Sequence, residues 1–232
     1  MKVSIIIGTC NHFLDLLKPC LESIEEYTDL EDKEIIIVSN GSTDETVPYI
    51  EYRKKCGLPY KIFDFPKKIG FPRANNIGSL AAEGEYLLFL NDDTYIMKDT
   101  KKDLWIDWMI EPIQKDPLIG ITGLFKGRNS HTEEDFILFI CCMVKKTVFE
   151  LVGGLDEIFS PGFMEDVDFS IKLKRKGFKI QQVPKDFPIV DYSAAAYSPI
   201  AHVGRTTFKE EDYKKIYERN GKILLDRYGK RN

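Results

Sequence analysis

Four short apolar runs recur along the first ninety residues, and each is nearly continuous in hydrophobic side chains. They span Val3–Ile7, Glu34–Val38, Tyr60–Phe63 and Tyr86–Leu90. Strands that are buried on both faces of a parallel sheet have this composition, whereas a strand with one face in solvent alternates apolar and polar residues. The pattern therefore predicts four inner strands.

Helical periodicity separates these strands. Three leucines and an isoleucine recur at helical spacing between residues 14 and 24, where Pro19 marks a helix start or a kink. Residues 42–45 (STDE) fit a capping box that opens a second helix, and a third is expected over residues 71–82. Alternating strands and helices at this spacing predict an α/β fold with a mostly parallel, Rossmann-like central sheet flanked by helices.

The second half of the chain is less regular. Strands are predicted at Leu118–Phe125 and Ile137–Val144, and helices at Lys146–Val152 and Asp166–Lys176, while residues 123–134 are the most loop-like stretch. A terminal helix has one apolar face, made by Tyr213, Ile216, Tyr217, Asn220, Ile223 and Leu224. No repeat or linker interrupts the chain. We predict one domain over residues 1–232, whose first half (1–95) binds a nucleotide and whose second half (96–232) receives a second substrate.

Composition narrows the functional classes. A chain of 232 residues with 43% hydrophobic content can bury one sizeable core. Its net charge of -4 comes from intermixed acidic and basic residues, which disfavours a nucleic-acid binder. The five cysteines form no C-x-x-C pair, and the longest apolar run, residues 136–144, is about half the ~20 residues of a membrane span. We expect a cytoplasmic protein with reduced thiols.

Polar residues follow three of the predicted strands at the point where each ends. They are GTCN at residues 8–11, SNGSTD at 39–44 and NDD at 91–93. Ligands of open α/β sheets bind beyond the carboxyl ends of the strands, so these segments are expected to meet. Small polar side chains suit a base and ribose, and paired carboxylates suit Mg²⁺ or Mn²⁺ held with substrate phosphates. Asn and Asp are also ordinary turn formers, and Ser42 could be a helix cap alone.

A fourth polar cluster is the acidic segment Glu165-Asp166-Val167-Asp168. Acidic residues favour the first turn of a helix through its dipole, which accounts for the cluster structurally. A carboxylate here could equally take a proton from a substrate hydroxyl as a general base. His202 is the histidine of interest, either as a metal ligand or as a hydrogen-bonded loop residue.

Together these residues resemble the family 2 glycosyltransferases, which have the glycosyltransferase A-type fold. The resemblance covers roughly Val3 to Gly177. The segments that carry it, in family order and spacing, are VSIIIGTCN (3–11), VSNGSTD (38–44), GFPRANNIG (70–78), AEGEY (82–86), LLFLNDD (87–93), GGLDE (153–157) and EDVD (165–168).

The resemblance implies an enzyme that transfers one sugar, with inversion, from a nucleoside-diphosphate sugar to an acceptor hydroxyl on a glycan or glycolipid. It implies that Asp93 binds Mn²⁺ or Mg²⁺ and that Asp92 contacts ribose or sugar. Asp166 matches the catalytic base, and Glu165 lies beside it on the acceptor or donor sugar. The residues expected around the nucleotide sugar are Thr9, Asn11, Asn40, Ser42, Arg73 and Asn76, and His202 matches a histidine that reaches the metal or diphosphate.

Three features depart from the family pattern. Ser39-Asn40 stands where a carboxylate pair is common, so the way in which the base is recognised differs, and Asn91 replaces the first Asp of the acidic motif. No Q-x-x-R-W motif is present, which argues against a processive synthase. Residues 70–78 are similar to those of rhamnosyltransferases, which favours a dTDP- or UDP-linked donor.

Two alternatives remain open at this point. A sugar nucleotidyltransferase shares the strand and metal arrangement but would have a glycine-rich basic loop after the first strand. A catalytically silent glycan- or partner-binding module could retain the fold, and the joint presence of Asp93 and Asp166 argues against it. The basic, amphipathic terminal helix could lie peripherally on a membrane that carries the acceptor, although packing against the domain explains its apolar face more simply.

Overall fold

The computed structural model describes residues 2–98, 100–183, 200–202 and 210–229. Its strands are β1 (Val3–Thr9), β2 (Lys33–Asn40), β3 (Tyr60–Phe65), β4 (Tyr86–Leu90), β5 (Thr94–Ile96), β6 (Ile119–Gly123), β7 (Lys126–Arg128), β8 (Asp135–Ile137), β9 (Cys141–Lys145), β10 (Lys179–Gln182) and β11 (Ile200–His202). Its α-helices are α1 (Lys18–Tyr27), α2 (Thr46–Lys55), α3 (Phe71–Ala81), α4 (Leu104–Lys115), α5 (Lys146–Val152), α6 (Glu165–Arg175) and α7 (Glu210–Tyr228).

In this part of the chain, a seven-stranded sheet runs in the order β10-β6-β9-β4-β1-β2-β3. Strands β4, β1, β2 and β3 are mutually parallel, whereas β9 lies antiparallel between β4 and β6. The pairs β5–β11 and β7–β8 form two small antiparallel ribbons. The predicted α/β fold with a mostly parallel central sheet is confirmed.

Helices cover both faces of the sheet. Along β1, Ile5 and Ile7 pack into a core with α1, α2 and α4, while Ile6 points to the opposite core with α5 and α6. All three isoleucines are fully buried. The continuous apolar runs in the sequence arise because both faces of the central strands are covered in this way.

One glycine sets how closely a helix approaches the sheet. Gly78 of α3 lies over β1, and a Cβ atom at this position would stand 2.4 Å from Cγ2 of Ile6. No side chain fits at that separation. The helix therefore packs its backbone directly against the strand, which brings its first turn near the carboxyl end of β1.

Several local expectations were wrong. The second helix begins at Thr46, and it is Asp44 that accepts from the Thr46 backbone N–H (3.2 Å), so residues 42–45 do not form a capping box. The run Ile137–Val144 is divided between β8 and β9, and β7 lies within the stretch expected to be a loop. Helix α4 was not anticipated, because its apolar residues lie in a segment with an internal proline.

The terminal helix packs against the domain, as its apolar face predicts. Asn220 and Leu224 are fully buried, and Leu224 lies in a small core with Phe159, Met164 and Ile171. Among the described helices, none is both long enough and apolar enough to cross a membrane.

Candidate active site

The carboxyl ends of three neighbouring strands bring the predicted polar segments together. Strands β4, β1 and β2 are adjacent in the sheet and parallel, so the residues that follow them lie along one edge. The acidic pair Asp92-Asp93 follows β4, Asn11 follows β1, and Ser42 follows β2. The sequence-based expectation of a shared edge agrees with this topology.

The loops after β1 and β2 are tied to each other by side chains. The Asn11 backbone N–H donates to Oγ of Ser42 (3.1 Å), and the Thr43 backbone N–H donates to Oδ1 of Asn11 (2.8 Å). The Phe13 N–H donates to the Asp44 carboxylate (2.9 Å). Asn11 adopts a left-handed conformation with φ 60°, one that Asn tolerates better than most residues. The hydrogen bond between Asn11 and Ser42 therefore fixes the loops after β1 and β2 relative to each other.

Asp92 lies at the centre of this edge and keeps part of its surface exposed. Burial raises the pKa of Asp92 to about 7; the nearby Thr9 hydroxyl opposes the rise, the negative charge of Asp93 adds to it, and His12 opposes it. Thr9 ends β1 and is buried, and Asp93 is only 7% exposed. His12 is hydrogen-bonded through Nδ1 to Asp15 (3.0 Å) and belongs to the electrostatic surroundings of Asp92.

The donor chemistry of this pair fits a hard divalent cation. Asp92 and Asp93 supply the oxygen ligands that Mg²⁺ or Mn²⁺ prefers. Burial and the charge of Asp93 raise the pKa of Asp92, and a bound cation would favour its ionised form. No group of three or more His, Cys, Asp or Glu side chains in the described ranges is arranged to hold an ion alone. A cation here would complete its coordination shell with substrate or water oxygens. Strand pairing places the backbone of His202 opposite Thr94, next to Asp93, while the His202 side chain lies outside the described residues.

The second acidic pair opens helix α6. Glu165 is 6% exposed, and its Oε2 has no hydrogen-bond partner among the described residues. Burial raises the pKa of Glu165 well above its ordinary value, and the charge of Asp166 adds to the rise. Burial also raises the pKa of Asp166 to about 7, although the Val167 backbone N–H donates to Oδ1 of Asp166 (2.8 Å) and opposes the shift. Because two neighbouring carboxylates resist double ionisation, the charge of Asp166 favours the protonated form of Glu165.

The antiparallel strand β9 pairs with β4, the strand that precedes Asp92-Asp93. Cys141 at its start pairs with Leu90 at the end of β4, and the Asn91 N–H donates to the carbonyl of Ile140 (2.8 Å). Burial is the main cause that raises the pKa of the Cys142 thiol, and the charge of Asp166 contributes to the rise. The charge of Asp166 therefore acts on Cys142, and Cys142 pairs with Phe89 of β4. Phe89 lies three positions before Asp92.

Three other predicted donor-site residues have contacts that the sequence did not reveal. Asn40 accepts through Oδ1 from the Ile69 backbone N–H, which ties the β2 loop to the segment before α3. Asn76 uses both ends of its amide on Leu155, donating to its carbonyl (2.8 Å) and accepting from its N–H (3.0 Å). Arg73 lies exposed on the first turn of α3, with Nε 4.0 Å from the Glu157 carboxylate. The structure thus places Asn76 as a bridge between α3 and the GGLDE segment and leaves Arg73 near the same junction.

Sequence analysis missed two polar contacts near the site. The hydroxyl of Ser39, at the end of β2, donates to Oδ1 of Asp64 on β3 (2.7 Å), so a carboxylate does lie beside the position where the family often has one. The matching positions of Ser39 and Asp64 at the ends of adjacent parallel strands could have revealed it. On α6, the fully buried Asp168 accepts from Tyr228 (2.7 Å) and Arg227 (3.1 Å), which anchors the terminal helix next to the acidic pair.

Comparisons with solved structures concern the fold. In the solved structures, the mannosyltransferase PcManGT of Pyrobaculum calidifontis, in complex with GDP-Man and Mn²⁺, superposes with a TM-score of 0.65 at 18% identity, over 79% of this chain and 55% of that one. GalNAc-T7, solved with UDP, GalNAc and Mn²⁺, superposes with a TM-score of 0.75 at 16% identity, over 97% of this chain and 48% of that one. These similarities confirm the predicted glycosyltransferase A-type fold.

Sequence relatives lead to the same family. The O-antigen biosynthesis protein RfbC of Myxococcus xanthus is 27% identical over 217 residues, 77% of this chain and 16% of that protein. The poly(ribitol-phosphate) beta-N-acetylglucosaminyltransferase TarS of Staphylococcus aureus is 34% identical over 108 residues, 44% of this chain and 18% of that protein. The chain thus spans less than a fifth of the length of these two relatives. The family model described as Glycosyl transferase family 2 matches residues 4–140, more than half of the chain. This chain belongs to glycosyl transferase family 2.

Proposed function

We propose that the chain is a metal-dependent, inverting glycosyltransferase that moves a single sugar from a nucleoside-diphosphate sugar to a hydroxyl of a glycan or lipid-linked acceptor. The observation that carries the proposal is the presence of two acidic pairs, one directly after β4 and one at the start of α6. One of them suits a hard cation, and the other contains a carboxyl group, Asp166, whose pKa of about 7 suits a general base at neutral pH. A UDP- or dTDP-linked donor is favoured by the resemblance of residues 70–78 to those of rhamnosyltransferases; of the similar structures, one was solved with UDP and one with GDP-Man.

In this proposal the first half of the chain, residues 1–95, holds the donor. Thr9, Asn11, Asn40 and Ser42 form the rim around the nucleoside, and Arg73 approaches the base or phosphates. Asp92 contacts ribose or sugar. Asp93, with His202, would hold Mn²⁺ or Mg²⁺, which when bound supplies positive charge that stabilises the departing diphosphate. Asn76 supports the site by fixing the Leu155 backbone, so its effect on the donor is indirect.

The second half, residues 96–232, receives the acceptor. Ionised Asp166 accepts the proton of the attacking hydroxyl while the acceptor oxygen bonds to the anomeric carbon and the bond from that carbon to the diphosphate oxygen breaks on the opposite face. The configuration at that carbon inverts, and the nucleoside diphosphate leaves. Burial favours the protonated form of Glu165, and in that form it can donate a hydrogen bond to a sugar hydroxyl beside the reacting centre.

Calorimetric titration of UDP, dTDP and GDP, each with and without Mn²⁺, tests the donor site. We expect one nucleotide to bind tightly only with the metal, and Asp93→Asn to remove this metal-dependent binding. Asp226→Asn is the matched control, because it deletes the same charge from an exposed position on α7. Asp166→Asn should bind the nucleotide normally and fail to transfer sugar. If no nucleotide binds to the wild type, the donor site is refuted and a silent binding module becomes the better explanation.

A further inference from the structure

The turn before the base helix has an unfavourable backbone conformation. Phe163 and Met164, the last two residues before α6, have φ angles of 71° and 75°, and neither is a glycine. Each left-handed residue of this kind costs roughly 1–2 kcal/mol. No side chain caps the N-terminus of α6 at Met164. The conformation persists only if contacts from outside the turn hold it, and it decides where Glu165 and Asp166 lie.

Asn220 of α7 supplies three of those contacts through its side chain. Nδ2 of Asn220 donates to the carbonyl oxygens of Phe159 (2.9 Å), Gly162 (2.8 Å) and Phe163 (2.8 Å). The two amide hydrogens are thus shared among three carbonyls of residues 159–163. Asn220 is fully buried, so water cannot replace these bonds.

The orientation of this amide is itself determined. Oδ1 of Asn220 accepts from Nε (2.9 Å) and Nη2 (2.7 Å) of Arg219, which leaves Nδ2 directed at the turn. Arg219 also donates to the carbonyl of Ser160. Asn is a poor residue for a helix interior, and a buried amide costs free energy unless it is fully hydrogen-bonded. Packing of α7 alone would favour an apolar residue at this position.

We infer that Asn220 is a positioning residue for the reaction: its amide holds residues 159–164 in the conformation from which α6 begins with Glu165 and Asp166. This inference rests on the proposed function for its catalytic meaning. The carbonyl bonds act on the base through the backbone, and Asn220 itself need not touch substrate. Its role differs from that of Leu224, one helical turn further on, which is equally buried and packs against Phe159 and Met164 without bonding to the turn.

The experiment compares Asn220→Leu with Leu224→Ala in the full chain. Asn220→Leu removes the donors and keeps an apolar side chain of similar size, while Leu224→Ala weakens the docking of α7 and keeps the donors. Each variant is assayed at a temperature where it is fully folded, for donor-nucleotide affinity, for kcat and KM of nucleotide-sugar turnover, and for hydrogen exchange of residues 163–168. Asn220→Asp serves as a second variant if the leucine does not fold.

Asn220→Leu should lower kcat by about 100-fold, as expected for a base displaced by about 1 Å, and should leave donor affinity and KM nearly unchanged. Its amides at residues 163–168 should exchange faster. Leu224→Ala should keep a kcat within about threefold of the wild type despite its loss of stability. Equal losses of kcat in the two variants, or an unchanged kcat in Asn220→Leu, would overturn the inference.

Failure of the proposed function gives a different result. If the wild type neither binds a nucleotide nor turns over any nucleotide sugar, the proposed function is refuted, and hydrogen exchange then decides the inference. Faster exchange confined to residues 163–168 in Asn220→Leu supports the positioning of the turn by Asn220. Unchanged protection there refutes it.

Discussion

The ionisation of Asp166 should make kcat depend on pH in the neutral range. Burial raises its pKa to about 7, and a general base acts only when it is deprotonated. About half of the Asp166 side chains are ionised at pH 7, about nine tenths at pH 8 and about one tenth at pH 6. The value of kcat should therefore rise about tenfold from pH 6 to pH 8, with a midpoint near 7, and then level off.

The assay must separate Asp166 from Asp92, because the pKa of Asp92 is also raised to about 7. Donor and Mg²⁺ are kept saturating at every pH, so that Asp92 stays ionised in the complex. The pH dependence of kcat then reflects the ionisation of Asp166. Asp166→Asn should lower kcat by about 100- to 10,000-fold and should abolish the rise of kcat between pH 6 and pH 8. Asp226→Asn should reproduce the wild-type profile. A wild-type kcat that is constant between pH 6 and 8, with chemistry shown to limit turnover, would refute Asp166 as the base.

The same pKa shift predicts a change in stability that requires no substrate. The pKa of Asp166 is higher in the folded protein than in the unfolded chain, so the stability that its protonated form contributes is fully present below about pH 4 and is lost progressively as pH rises through about 7. Above pH 7 the ionised carboxylate therefore lowers the free energy of unfolding, by at most about 4 kcal/mol for a shift of about three pH units. Thermal unfolding at pH 8 should show Asp166→Asn to be more stable than the wild type. A lower Tm for the variant at pH 8 would contradict the assigned burial.

Two further predictions concern packing and thiol chemistry. Gly78→Ala should lower the free energy of unfolding by about 1–3 kcal/mol, because its Cβ would meet Cγ2 of Ile6. Adding Ile6→Leu, whose side chain lacks that methyl group, should recover part of the loss in denaturant titrations. If the effects of the two substitutions are simply additive, the clash is contradicted. A thiol reagent at neutral pH should modify the exposed Cys56 rapidly, whereas three buried thiols, whose pKa values are raised mainly by burial, should react only on unfolding: Cys20, Cys141 and Cys142. Rapid modification of any of these three in the folded protein would show that its burial is wrong.

The first half of the fold could be predicted well from sequence, for a physical reason. Strands β1, β2 and β4 are covered on both faces, and the resulting apolar runs are distinctive, so their positions were found to within a few residues. The second half was harder. Between β8 and β9 the chain turns while its side chains remain apolar, and the pattern of residues 137–144 cannot distinguish that turn from one continuous strand.

Capping was mistaken for a similar reason. The motif at residues 42–45 has the composition of a capping box, yet the Ser42 hydroxyl accepts from the Asn11 backbone, a partner 31 residues away. Local propensity had no information about that distant donor. Tertiary contacts of this kind override a local preference that is worth only about 1 kcal/mol.

By itself, the sequence determined the class of the fold, the order of the acidic and polar motifs, and the prediction that they share one edge of the sheet. These follow from periodicity and from the rule that parallel strands present their carboxyl ends together. Only the tertiary structure decided that Asn76 is hydrogen-bonded to the Leu155 backbone, that Asp64 lies beside Ser39, and that Asn220 is hydrogen-bonded to the turn before α6. Each depends on contacts between residues 25 to 79 positions apart, and the raised pKa of Asp166 depends on burial. Such distances and burial arise only when the chain is folded.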